Sequence, residues 1–182
     1  MPRSVPLRRL LVALLLSCTV LAGTACGGDD GSTASSSASP SPTTSAQKQK
    51  WAKTRFVANA GLAAGAAYQW IVKPYRAGKF KKGADGRTFA MVKAGAAGAF
   101  AYNRLKAATV NAKGDPLLSK AVAPLTAGIE SLKDVAARMG KGDLAAGDVG
   151  AFESVINSVK EAGKSAGAEV TNKVPSTSQL TG

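Results

Sequence analysis

The sequence predicts an all-α protein, a four-helix up-down bundle on a disordered N-terminal tether. Three observations predict it. Between about residues 48 and 170 the larger apolar residues recur at spacings of three and four, with no useful run of period two. Residues 29–46 are Asp, Gly, Ser, Thr, Ala and Pro, which offer nothing to bury. Alanine makes up 35 of the 182 residues and glycine 20, a composition suited to helices that approach closely.

The first element in order is not part of the fold. Leu10 to Ala22 is a short apolar run behind Arg3, Arg8 and Arg9 with no acid, the pattern of a secretory signal. Cleavage before Cys26 leaves 182 − 25 = 157 residues, enough for one domain. The expected divisions are a signal peptide at 1–25, a disordered linker at 26–47, a helical domain at 48–170 and a disordered tail at 171–182. About 20 linker residues span roughly 25 Å root-mean-square.

The first helical stretch runs from about Lys48 to Lys73 and is expected to stop at Pro74. Its predicted seam is Trp51, Arg55, Ala58, Leu62, Gly65, Gln69 and Val72, with Phe56, Ala63 and Trp70 alongside. Phe56 to Val72 is a 17-residue stretch without charge, and Gly61-x-x-x-Gly65 matches a close-packing motif of membrane helices. Asn59, Gln69 and the weak hydrophobicity of Ala and Gly favour a buried helix outside the bilayer.

The second stretch runs from about Asp85 to Lys113, with Phe89, Val92, Ala96, Ala99 and Phe100 expected to face the core. The third opens on Asp115 as N-cap and Pro116 at the first helical position. Leu118, Val122, Leu125, Ile129, Leu132, Ala136 and Met139 then form its seam, and Pro124 should kink or split it. The fourth starts near Asp148, a second expected N-cap, and carries Val149, Phe152, Ile156, Val159, Gly163, Ala166 and Val170. The third and fourth stretches should supply most of the aliphatic core. Leu180 falls outside it.

Composition excludes several chemistries. Histidine is absent, and Cys18 and Cys26 both lie within or beside the signal. His-based triads, cysteine nucleophiles, zinc sites, haem attachment and internal disulfides are therefore excluded for the mature domain. Ser45-x-x-Lys48 falls in the tether, and Gly140-Lys141-Gly142-Asp143-Leu144-Ala145 follows a helix where a dinucleotide fingerprint needs a strand. Glu130 and Asp134 share a helix face, with Asp134 four residues before Arg138, the spacing of a surface ion pair. We expect no catalytic residues, no metal site and no cofactor.

Charge is distributed unevenly. From Lys48 to Lys120 there are 15 Lys and Arg against Asp85 and Asp115, a net of +13; from Ala121 onward 6 basic residues face 7 acids, a net of −1. Nine of the ten aromatic residues lie between Trp51 and Tyr102. The densest region joins the first two helices. Lys73, Arg76, Lys79, Lys81, Lys82 and Arg87 concentrate six cations there, with Tyr75 and Phe80 interleaved. Cations attract phosphate or carboxylate, and rings sit well at a headgroup boundary or on sugars. The plain alternative is a loop pinned by Trp70 and Phe80 whose lysines are merely solvated.

Leu21-Ala22-Gly23-Thr24-Ala25-Cys26 resembles the end of a bacterial lipoprotein signal, and Gly27-Gly28-Asp29-Asp30 followed by Ser-rich sequence resembles the tether after it. The pattern is similar to that of exported lipoproteins of high-GC Gram-positive bacteria. The resemblance implies a diacylglycerol thioether on Cys26 as the mature N-terminus, at the extracytoplasmic face of the cell membrane. Cys18 is a rival that would leave apolar Val20-Leu21-Ala22 in the mature tail, and a plain secreted protein cut near Ala25 is the alternative. The expected function is non-catalytic: the basic half contacts anionic lipid or a cell-wall polymer. The alternative is a binding module holding a protein or small ligand in an Ala/Gly-lined groove between the first two helices. Nucleic acid fits the charge, but an exported lipoprotein rarely meets it.

Overall fold

The computed structural model describes residues 45–181. The signal, Cys26 and nearly all of the linker lie outside the described residues. The described chain is mostly helical, and no strand occurs among the described residues.

Helix α1 spans Ser45–Ala67 and passes through a π turn, Tyr68–Val72, into the short α2, Lys73–Arg76. The expected stop at Pro74 does not occur. Proline has no N–H to donate to the preceding turn and its ring crowds that turn, and the widened π turn immediately ahead absorbs the misfit. The 32 residues from Ser45 to Arg76 thus form one rod of about 48 Å.

Helix α3, Arg87–Ala112, returns along α1, and its far end brings Gly114 against Ala52. Asp115 then caps α4, Pro116–Val122: its carboxylate accepts from the Leu118 N–H at 2.9 Å. Pro124 splits the third stretch through a 3-10 turn, Ala123–Leu125, before α5, Thr126–Gly140. Helix α6 is Ala146–Ser165, and α7 is Thr177–Thr181.

Asp148 is not the N-cap of α6. That place belongs to Ala145, and the Asp148 carboxylate accepts from the Ala145 N–H at 3.0 Å from within the first turn. It also pairs with Arg138, which reaches past Asp134 to do so. Burial pushes the Asp148 carboxyl up, but the Ala145 amide and the Arg138 guanidinium outweigh this and hold it below its ordinary range. Such a depressed carboxyl stabilises the fold above its unfolded-state range, and that stabilisation is lost as acid protonates it in the folded state.

The seams of α4 to α6 lie as expected. Leu118, Val122, Ile129, Leu132, Met139, Val149, Phe152 and Val159 are buried, while Leu125 in the 3-10 turn is half-buried. The seams of α1 and α3 differ from expectation. Trp51 is 47% exposed, Phe89 65% and Val92 59%. The buried face of α1 keeps Phe56, Ala63, Gly65 and Val72 of the expected set and adds Ala52, Ala60, Ala67 and Ile71; that of α3 keeps Phe100 and adds Met91, Ala94, Gly98, Ala101, Leu105 and Ala108. Small residues win these positions on α3 because α3 and α5 approach closely. A Cβ on Gly98 would meet the Ala136 Cβ at 3.1 Å, and one on Gly95 would meet the Gly140 Cα at 2.6 Å.

The stretch from 171 onward, expected to trail free of the domain, is laid against α1. Gly167, at φ 66°, ends α6 and turns the chain back. Val170 and Pro175 are buried, and the Lys173 N–H donates to the Gly61 carbonyl at 2.8 Å. Gly61 and Gly65 form the bed of this strap: a Cβ on Gly65 would collide with the Lys173 carbonyl. The Gly-x-x-x-Gly motif is thus a seat for the protein's own C-terminal segment. No described helix is long and apolar enough to cross a membrane. Leu180, on α7, packs partly buried against the core.

Candidate functional site

The basic stretch between α1 and α3 is held by a series of tight turns. Gly78 N–H donates to the Tyr75 carbonyl, Lys81 to Gly78, Ala84 to Lys81 and Arg87 to Ala84, all between 2.9 and 3.1 Å. Gly78, Gly83 and Gly86 hold φ of 70°, 81° and 70°, which side chains with a Cβ disfavour, so the glycine spacing of the loop follows from its geometry. Phe80 is buried in the core and Tyr75 packs beside it, ring centroids 6.5 Å apart. The loop is therefore pinned by Phe80.

The six cations are not equivalent. The Arg87 Nε donates to the Phe80 carbonyl at 3.0 Å, and another nitrogen of the same guanidinium reaches the Gly142 carbonyl at 3.5 Å. Arg76 pairs with Glu153 on α6. These two brace the loop against the domain. Lys73, Lys79, Lys81 and Lys82 are exposed and form no ion pair among the described residues. Lys73, Lys79, Lys81 and Lys82 thus stand without an acidic partner among the described residues, while Arg76, itself exposed, and Arg87 are engaged.

Sequence reasoning missed the neighbours that extend this surface. Phe89 and Val92, placed in the core by spacing alone, stand exposed on the first turns of α3. The Lys93 ammonium lies 4.2 Å from the Phe89 ring centroid and 4.8 Å from that of Trp70. Trp70 Nε1 is buried with no hydrogen-bond partner among the described residues.

The other constellations have structural roles. Glu130 accepts from the Tyr102 hydroxyl at 2.7 Å and pairs with Lys106 at 3.2 Å, and these two hold its carboxyl below the ordinary range. The Gly140–Ala145 segment is the turn into α6. No group of three acidic, His or Cys residues among the described residues is arranged to hold a metal ion. Along the middle of α1 and α3, Ala63, Ala64, Ala94, Ala97 and Ala101 are at most 1% exposed between the packed helices. A shallow groove does occur at the other end of α1, lined by Lys48, Trp51, Arg55, Val110 and Asn111.

No family model, curated protein or solved structure matches this chain.

Proposed function

We propose that this chain is a non-catalytic lipoprotein, anchored through Cys26 at the extracytoplasmic face of the cell membrane. Its domain is a four-helix up-down bundle on an N-terminal tether, and its basic, aromatic-rich half contacts an anionic surface of lipid headgroups or cell-wall polymer. The observation that carries this reading is the division of labour in the basic loop. Phe80, Arg76 and Arg87 fasten it, which leaves Lys73, Lys79, Lys81 and Lys82 on a braced support with only Asp85 as an acid between Lys73 and Lys113.

A basic residue near an anionic bilayer contributes up to about 1 kcal/mol, decaying within a Debye length of about 8–10 Å. Half that value for four lysines is about 2 kcal/mol, roughly thirtyfold in affinity. The test uses residues 26–182 with Cys26→Ser, so that no lipid contributes. The protein is mixed with anionic vesicles, neutral vesicles and an immobilised glycerol-phosphate polymer, each at low and high salt. We expect salt-sensitive binding to at least one anionic support and not to neutral vesicles. Lys79→Gln, Lys81→Gln and Lys82→Gln together should weaken it about tenfold. Equal binding to charged and neutral supports, or none to any, contradicts the proposal.

A further inference from the structure

The exposed face of α3 keeps a strict spacing. Phe89, Val92, Ala96, Ala99, Asn103, Lys106, Val110 and Lys113 succeed one another by three and four, and all but half-buried Ala96 are exposed. The opposite seam, Met91 to Ala108, faces α1 and the core. Helix α3 thus carries apolar side chains on two faces, the outer one interrupted by Asn103 and Lys106, and only the inner one is covered. The uncovered stripe places Phe89 and Val92 at the loop end and Val110 at the other, where it shares a groove with 47%-exposed Trp51.

The charge around the stripe selects its partner. Helix α3 contains Arg87, Lys93, Arg104 and Lys106 and no acid. A second copy docking by this face would set two basic surfaces against each other, with the nearby acid Glu130 already taken up by Lys106 and Tyr102, which is repulsive. A hydrophilic polyanion would satisfy the cations but give Phe89, Val92 and Val110 nothing apolar to enter. An anionic bilayer supplies both, headgroups for the ammonium groups and an acyl boundary for the apolar side chains. Orientation is consistent with this. The tether joins one end of the 48 Å rod and the basic loop lies at the other, so a domain lying along the surface brings both ends to it.

We propose that the outer face of α3, with Trp51 at its edge, is a bilayer-seating surface on which the domain lies side-on. Phe89, Val92 and Val110 enter the interfacial region, and Lys93 and Lys113 meet the headgroups. This rests on the anionic-surface reading above and commits it to lipid.

The test uses residues 26–182 with Cys26→Ser, so that an introduced cysteine is the sole thiol. Nitroxide labels at Val92→Cys, Val110→Cys, Lys82→Cys and Glu161→Cys report the loss of contact with an aqueous paramagnetic relaxant on anionic and on neutral vesicles. Protection at 92 and 110 on anionic vesicles alone, with 161 on α6 open throughout, is the expected result. Protection at 82 with 92 and 110 open means that the loop touches the surface by its tip: the side-on face is overturned and the anionic-surface reading stands. All four sites open on anionic vesicles overturns the side-on face and the lipid form of that reading. As a second measurement, Phe89→Ser with Val92→Ser should leave the melting temperature near wild type and lower partitioning to anionic vesicles about tenfold. Unchanged partitioning also overturns the proposal.

Discussion

Leu132→Ala is expected to cost about 2–5 kcal/mol, a large fraction of the stability of a domain of this size. Leu132 is fully buried on α5, and Leu118 and Ile129 beside it are 0% and 1% exposed. A chain so rich in Ala has few large side chains to share the burial of apolar area, so each one deleted leaves a void that its small neighbours cannot fill. Leu125→Ala, in the half-buried 3-10 turn, should cost clearly less. Denaturant titration of the three buried sites and Leu125 checks the order. Equal costs at Leu125 and Leu132, or no loss at any buried site, would show that the seam is not the core.

Gly65→Ala is expected to destabilise the domain, although alanine is the better helix former by about 1 kcal/mol. The added methyl would occupy the space of the Lys173 carbonyl, so the strap must lift from α1 or the helix must move. Overpacking of this kind costs about 1–3 kcal/mol. Gly150→Ala provides the opposite sign: no atom lies within 4 Å of the new Cβ on exposed α6, and stability should rise by up to about 1 kcal/mol. Melting of the two variants, with amide exchange across residues 168–176, separates strap release from general loss of stability. A stabilising Gly65→Ala would mean that the strap does not sit on this bed.

The parts of the fold legible in the sequence are those where one apolar seam has no rival. In α5 and α6 the large residues Ile129, Leu132, Phe152 and Val159 fall on one face and polar residues on the other, so spacing alone identifies the core. Asp115-Pro116 is equally legible, because a cap is a local hydrogen bond. Helix α3 was ambiguous for a physical reason. Its two seams share the same period, and ranking them by side-chain size puts Phe89 and Val92 inside. Tertiary packing chose the other seam, because its small residues let neighbouring helices come close, as Gly98 does α5, where Phe89 would hold them away. The same preference for large residues hid the strap. Thr171 to Ser176 carries little to bury, and what fixes it is the depth that Gly61 and Gly65 leave in α1.

The candidate site was legible as a composition and not as a geometry. Six cations with two aromatic residues stand out in the sequence, but which are paired depends on Glu153 and Gly142, 77 and 55 residues away from their partners. Phe80 as an anchor follows from an aromatic residue among lysines. Phe89 as a surface residue does not, and it emerges only when the helix phase is known.

In the proposed function the domain works at a membrane to which Cys26 fastens it. The most direct measurement is the mass of the N-terminal peptide of the mature protein recovered from whole cells. The protein is expected to fractionate with membranes, and this peptide to begin at Cys26 and carry a diacylglyceryl group, since two acyl chains on one residue give stable anchoring where one does not. Recovery from the culture medium, with an unmodified N-terminus at Ala25 or Cys26, would contradict it.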